Sequence, residues 1–418
     1  MDLLRFAIVG SVDDGKSTLI GRLLHDTRQL FEDQVEALHT ASRRRGLTEV
    51  ELAFVTDGLR AEREQGITID VAYRYAATPN RKLVIADCPG HVQYTRNMAT
   101  GASTAELAVV VVDAKSGLKE QTRRHLCIAA LLGVGQAVVC VNKMDLVDWR
   151  QDAFEAAAAE VTGLAERLGM RRVEAVPISA LHGDNVVDRS SGARWYDGPT
   201  VLEAIESVPV AGLGTQAGGA RLPVQWVSRL PGGGRAYSGM LAGGPLRPGD
   251  EVVVLPSGIR SRVTSVDTFD GPVDEAVGGL SVTVHLAGDV DVARGDMLAS
   301  AEDRPEVCTE VEATVCWFAD RPLQAGWRGR LKHTTRLTPA MASDVTGRLD
   351  VNTLELAGAR SLELNDIGVV RLTVATPLAV DSYRHNRTTG SFILIDDVTN
   401  ATVAAGMVGA PALRPLGV

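Results

Sequence analysis

The stretch Gly10-Ser-Val-Asp-Asp-Gly-Lys-Ser17 fits the pattern G-x-x-x-x-G-K-S/T and decides the fold of the first half of the chain. Glycines let the backbone curl until its N–H groups come within hydrogen-bonding distance of phosphate oxygens. Lys16 brings a cation for the β- and γ-phosphates, and Ser17 a hydroxyl for Mg2+. Context separates the match from a fortuitous glycine turn: Phe6-Ala-Ile-Val9 supplies a strand before it, and Ser17-Thr18-Leu-Ile-Gly-Arg-Leu-Leu24 a helix after it. Gly10, Ser11, Val12, Asp13, Asp14, Gly15, Lys16, Ser17 and Thr18 are therefore the candidate phosphate cradle.

Outward from this loop, β-branched runs recur at Lys82–Ala86, Leu107–Val112, Ala137–Val141 and Val173–Ile178, each bounded by Gly, Pro, Asp or Asn. They read as buried parallel strands. Helix-period segments lie between them, at Lys16–Leu24, Gln121–Leu132 and Asp152–Leu168. Strand alternating with helix predicts an α/β doubly wound, mostly parallel sheet over residues 1–209. Leu30 to Ile67 reads as helical, with charges that have no fixed apolar face.

The texture then changes. Residues 210–219 are small and Gly-rich, a linker. Short strands follow at Leu222–Val227, Glu251–Leu255, Arg260–Val266 and Leu280–Leu286, and a second set runs from Val307 to Ser391–Ile395 and Thr402–Val408. Two small β-barrels, 220–305 and 306–409, fit better than one large one. Residues 410–418 read as a tail.

Hydrophobic residues at 45% and charged residues at 23% exclude wholesale disorder. A net charge of -9 argues against a protein that coats nucleic acid or anionic lipid. Five cysteines without a C-x-x-C pair form neither a disulfide framework nor a zinc site and read as buried thiols. The N-terminal residues read as a strand rather than a signal peptide, and no apolar run is long enough to span a bilayer. A cytoplasmic location is expected.

Other motifs name the base. Asn142-Lys143-Met144-Asp145 ends the strand Ala137–Val141, where open α/β sheets place their ligands. The Asp145 carboxylate can accept from N1–H and the 2-amino group of guanine, a pair adenine lacks. Lys143 can lay its stem over the base, and Asn142 can tie its loop to the phosphate loop. Ser179, Ala180 and Leu181 offer backbone N–H groups to the guanine oxygen. Asp87-Cys-Pro-Gly90 ends another strand: Asp87 reaches Mg2+ through water, and the Gly90 N–H senses the γ-phosphate. His91 follows, placed to orient an attacking water. Gly66-Ile-Thr68-Ile69 lies between these motifs, where a switch segment supplies a threonine to Mg2+. The candidate catalytic set is His91, Lys16, Thr68 and Gly90; the metal set is Ser17, Thr68 and Asp87.

Taken in order, these motifs resemble the translation-factor GTPases, of which elongation factor Tu is the best known, and that family's architecture is a G domain followed by two β-barrels. Several runs resemble one branch more closely: Leu23-Leu-His-Asp-Thr-Arg-Gln-Leu-Phe31, Asp57–Gly66, Leu331-Lys-His-Thr-Thr-Arg336, Arg348–Glu355, Leu364–Gly368 and Asn386-Arg-Thr-Thr-Gly-Ser-Phe-Ile-Leu-Ile-Asp396. Together they are similar to the large, GTP-hydrolysing subunits of bacterial sulfate adenylyltransferases. The resemblance implies GTP/GDP and Mg2+ as ligands, Asp13 helping to hold a monovalent cation, and a small catalytic subunit as partner. That partner would make adenylylsulfate and pyrophosphate from ATP and sulfate, with GTP hydrolysis here driving the step. Some members carry an adenylylsulfate kinase domain with its own P-loop. This sequence has one such motif, so a kinase is expected only as a separate or further fused chain.

Two other readings share the G motifs. An elongation factor carrying aminoacyl-tRNA would favour a basic groove along the barrels. The acids of Asp267–Glu275 and Asp289–Asp303 weigh against nucleic acid, and the basic run Arg328–Arg336 reads as a solvated strand face. A GTP-controlled scaffold would bind partners without coupled chemistry. Cys308 and Cys316, eight apart, are expected to share one strand face. Trp226, Trp317 and Trp327 read as barrel interior or loop anchors, and His25 and His125 carry no assigned chemistry.

Overall fold

A computed structural model describes residues 2–30, 36, 52, 62, 67–210, 218–230 and 233–409. The expectations for the stretch between Leu30 and Ile67, for Gly66, for most of the linker and for the tail lie outside the described residues. The chain divides into two compact units at Val210/Ala211.

The first unit is built on a six-stranded sheet of β1 (Leu3–Val9), β2 (Ala72–Ala77), β3 (Lys82–Asp87), β4 (Leu107–Asp113), β5 (Gln136–Asn142) and β6 (Arg172–Pro177), in the order β2-β3-β1-β4-β5-β6. Every pair is parallel except β2–β3. All seven residues of β4 are buried, the burial on both faces that its unbroken Leu-Ala-Val-Val-Val-Val run requires. The helices are α1 (Lys16–Asp26), α2 (Thr95–Ser103), α3 (Glu120–Leu131), α4 (Gln151–Arg167) and α5 (Val201–Glu206). Leu4, Phe6 and Ile8 of β1 share one core with Leu19, Ile20, Leu23 and Leu24 of α1. That packing fixes the loop between the two elements.

Three elements of this unit go beyond the sequence reading. The antiparallel edge strand β2 reads Ala-Tyr-Arg-Tyr-Ala-Ala, with only Ala76 buried, so it lacks the β-branched run of a buried strand. The short α2 has only five buried positions. The one-and-a-half-turn α5 does carry a signal: Thr200 accepts from the Glu203 N–H, and the Glu203 carboxylate accepts from the Thr200 N–H, a capping box legible as T-x-x-E.

The second unit is all-β. Strands between Ala220 and Ser300 form a nine-stranded antiparallel sheet over one core that includes Leu222, Tyr237, Val254, Val266, Val284 and Leu298. The expected single strand Leu222–Val227 is instead two, Ala220–Pro223 and Trp226–Arg229. Pro223 has no N–H with which to carry the ladder onward. Strands between Glu306 and Val408 form a second sheet. The pairing of Arg328–His333 with Arg336–Leu349 closes six of its strands into a barrel.

The strand Glu306–Trp317 corrects one expectation. A register shift between Cys308 and Glu310 changes its parity. Val311, Ala313, Val315 and Trp317 point into the barrel core, Cys308 packs against that core, and buried Cys316 lies on the other face. Trp317 is buried and meets Trp327 edge-on, with ring centroids 5.8 Å apart. Trp226, in contrast, is 64% exposed, so it is neither interior nor anchor.

A polar network joins the nine-stranded sheet to the barrel. Arg221, 1% exposed, grips the Asp381 carboxylate with Nε at 3.0 Å and Nη2 at 3.1 Å, and donates to the Asp303 carbonyl at 2.6 Å. Thr389 donates to the same carboxylate at 2.6 Å, and His333 meets the Thr389 carbonyl at 2.7 Å. Arg336 pairs with Asp296. Arg336, His333 and Thr389 belong to the runs that mark the sulfate adenylyltransferase branch, so part of that signature serves packing between the two β sheets. No helix among the described residues is long and apolar enough to cross a membrane.

Candidate guanine-nucleotide site

The phosphate loop joins the end of β1 to α1. Gly15 caps α1 with φ +96°, and a Cβ there would collide with Nδ2 of Asn142, so only glycine serves. Asp13 takes φ +63° on the exposed tip. Lys16 is buried, and its ammonium donates to the carbonyls of Gly10 at 3.1 Å and Ser11 at 2.6 Å. Burial lowers its pKa below that of an ordinary lysine, with the charges of Asp14 and then Asp87 opposing the shift. Ser17 and Thr18 are half-buried in the first turn of α1.

Asp87 and Gly90 close over the same loop. Asp87 ends β3 with its side chain buried. Gly90 lies so close that a Cβ would overlap the Lys16 ammonium and stand 3.0 Å from Ser11 C and Val12 N. His91 follows as the cap of the short turn Val92–Tyr94, its ring 6.4 Å from that of Tyr94. Half-buried, it lines an open cleft of about 410 Å³ with Ser11, Val12, Gly90, Lys119 and Gln121. His91, Gly90 and the phosphate loop therefore meet at one place.

Thr68 is placed differently. Its loop is held through its neighbours: the N–H groups of Ile69 and Asp70 donate to Glu62 at 3.0 and 3.3 Å, and Asn97 of α2 donates to the Ile69 carbonyl at 2.8 Å. None of these ties reaches Ser17.

The base loops meet through Asn142. Its Nδ2 donates to the Asp14 carbonyl at 2.8 Å, and its Oδ1 accepts the Ala180 N–H at 2.9 Å. Two of the three amides expected to face guanine are thus spent inside the protein, since the Ser179 N–H donates to Asp184 O at 3.2 Å. Leu181 is exposed, and its carbonyl accepts from Arg22. Lys143 sits at φ +64° with its ammonium 2.8 Å from Asp113, which holds its stem across the loop. Asp145 is partly exposed, 4.0 Å from the His182 imidazole.

A polar layer behind the phosphate loop escaped the motif reading. Buried Asp14 accepts the Ser11 N–H at 3.0 Å and pairs with Lys119 at 2.6 Å, and Ser11 meets Thr122 at 3.1 Å. His125, fully buried, has Nε2 2.8 Å from Gln121 Nε2. Burial, and secondarily the Lys16 charge, hold its imidazole down at about 3, so it is neutral. The Lys119–Asp14 and Thr122–Ser11 contacts span more than a hundred residues, and no spacing rule predicts them. Burial also raises the thiols of Cys88, Cys127 and Cys140, the inert behaviour expected of core cysteines.

The residues present fit the ligands that the motifs imply. Glycines at positions 15 and 90 stand where a Cβ would block the cradle. Ser17 and Asp87 offer the hard oxygen donors that Mg2+ takes.

Comparison with known proteins bears on the same residues. The family model described as the elongation factor Tu GTP binding domain matches residues 1–210, and the one described as GTP-eEF1A C-terminal domain-like matches residues 310–409. The sulfate adenylyltransferase subunit 1 of Cellvibrio japonicus is 49% identical over 409 residues, covering 97% of this chain and 86% of that protein. The chain belongs to this family. Its first half is a GTPase domain of the elongation factor Tu type. The bifunctional enzyme CysN/CysC of Mycobacterium tuberculosis is 53% identical over 412 residues, and this chain spans 67% of its length. The bifunctional enzyme NodQ of a Rhizobium species is 48% identical over 408 residues, 63% of that protein.

Proposed function

We propose that the chain is the regulatory GTPase of a sulfate adenylyltransferase, coupling GTP hydrolysis to formation of adenylylsulfate and pyrophosphate from ATP and sulfate on a small catalytic subunit. One observation carries the reading: the 49% identity to the Cellvibrio japonicus subunit 1 extends over 97% of this chain, barrels included. An adenylylsulfate kinase, separate or fused, would consume the product, in keeping with the bifunctional names of two relatives.

Each residue has a defined task. The N–H groups of Asp13 to Ser17 and the Lys16 ammonium hold the phosphates and oppose charge building at the β–γ bridge. Lys16 needs only to exchange its two carbonyl partners for phosphate oxygens. Asp145 accepts from the guanine edge, Lys143 covers the base plane, and the Leu181 amide faces the guanine oxygen. Ser179 and Ala180 shape that loop, and Asn142 binds it to the phosphate loop. Ser17, Thr68 and Asp87 would hold Mg2+, which when bound neutralises charge between the β- and γ-phosphates. Both the Thr68 loop and Gly90 lose their hold when the γ-phosphate leaves. His91 aims the attacking water. Asp13, on the exposed tip, helps to hold a monovalent cation.

The test follows both products at once. GTP turnover and pyrophosphate release are measured for the chain alone, with the small subunit, and then with ATP and sulfate. The two rates rise together if the proposal holds. GTP turnover indifferent to ATP and sulfate would remove the coupled reading and leave a GTPase of the elongation factor Tu type with another partner.

A further inference from the structure

A fully buried carboxylate in a loop that binds a polyanion needs a counterweight, and Asp14 has one. Its side chain is 0% exposed and meets the Lys119 ammonium at 2.6 Å. Lys119 is the residue on which α3 begins. Its other neighbours are the walls of the cleft that also holds Gly90 and His91. The first two turns of α3 also send Thr122 to Ser11 and place His125 near the Lys16 charge. Of these three side chains only Lys119 carries charge.

We propose that Lys119 is the built-in counter-ion of the phosphate loop, a positioning residue that cancels the charge of Asp14 and so lets the loop accept the phosphates of a guanine nucleotide. The inference rests on the guanine-nucleotide reading above. The Asp14 carboxylate fixes the start of the loop by accepting the Ser11 N–H at 3.0 Å, while its carbonyl anchors Asn142. Removing the ammonium leaves the buried Asp14 charge, one residue from Gly15, with only the Lys16 ammonium to oppose it, the same cation that must serve the phosphates. A buried charge whose partner is deleted is far costlier than an exposed one. It also repels the incoming phosphates through a medium that screens poorly. Because Asp14 acts on GDP and GTP alike, the loss falls on binding and not on the hydrolytic step.

The experiment uses the full chain in four variants: Lys119→Met, Lys119→Arg, Asp14→Asn and the double variant Asp14→Asn/Lys119→Met. Affinity for fluorescent GDP and the KM and kcat for GTP are read for each, with melting curves as the folding control. Lys119→Met weakens GDP binding and raises KM by roughly 10–100-fold with kcat within about threefold. Lys119→Arg retains most of the affinity. The double variant recovers to within about threefold of wild type, because without the carboxylate no counter-ion is needed. Lys119→Met binding GDP as wild type does, or a double variant as weak as the single, would overturn the proposal. Should Lys119→Met not fold, Asp14→Asn decides: it keeps an acceptor for Ser11, leaves the ammonium unopposed, and binds GDP at least as tightly as wild type. A tenfold loss there, on the scale of one hydrogen-bond deletion of about 1.4 kcal/mol, overturns the idea. A wild-type chain that binds no guanine nucleotide sinks the reading beneath it and the inference together.

Discussion

The side chain of Asn142 donates to the carbonyl of Asp14 at 2.8 Å, across 128 residues of sequence. With its other end on the Ala180 N–H, it holds the phosphate loop and both base loops in one register. Asn142→Ala leaves a buried carbonyl and a buried N–H without partners, at about 1–3 kcal/mol each. The expected outcome is GDP affinity reduced by roughly 10–100-fold, read by titration with fluorescent GDP.

Gly90 touches Lys16 with no room for a side chain. Gly90→Ala pushes the segment carrying His91 off the loop. Hydrolysis should fall by roughly 100-fold, as for a displaced catalytic group, while GDP binding changes much less. Single-turnover GTP cleavage beside a GDP titration separates the two.

Acid should act on the first unit through His125. Its imidazole is held down at about 3 in the folded chain against 6.5 for an ordinary histidine. Between those two values the unfolded chain binds a proton that the folded one refuses. Stability is therefore fully present above the ordinary pKa and is lost as pH falls toward the folded one, by up to about 5 kcal/mol. Denaturation followed by circular dichroism from pH 7 to 4 checks this, and His125→Gln should flatten the profile.

In the second unit, Arg221→Met strands the Asp381 carboxylate in the interior at about 3–5 kcal/mol. Arg221→Met/Asp381→Leu, with no stranded charge, should regain most of that loss. Melting curves followed by tryptophan fluorescence, which Trp317 and Trp327 report from this barrel, compare the two.

The sheet of the first unit was legible because β-branched runs buried on both faces have no other reading, and the phosphate loop because its glycines, lysine and hydroxyl sit between such a run and an amphipathic helix. The edge strand β2 was not legible, since Tyr73 and Tyr75 are exposed and no alternation marks its core face. The parity of Cys308 and Cys316 was lost at one bulge that leaves no trace in residue type. Within the site, the residues that point at a ligand were named by their motifs, as was Asn142, which ties the base loop to the phosphate loop. The other holders were not: Lys119 on Asp14 and Thr122 on Ser11 are tertiary contacts, visible only once β1 and α3 lie side by side.

The most direct measurement is GTP cleavage by the purified chain alone, for wild type and for His91→Ala, with ATP as the competing nucleotide. The proposed mechanism gives turnover of GTP but not ATP, and a drop of roughly 100–1,000-fold for His91→Ala with GDP affinity unchanged within about threefold. ATP cleaved as readily as GTP, or His91→Ala as active as wild type, would contradict it.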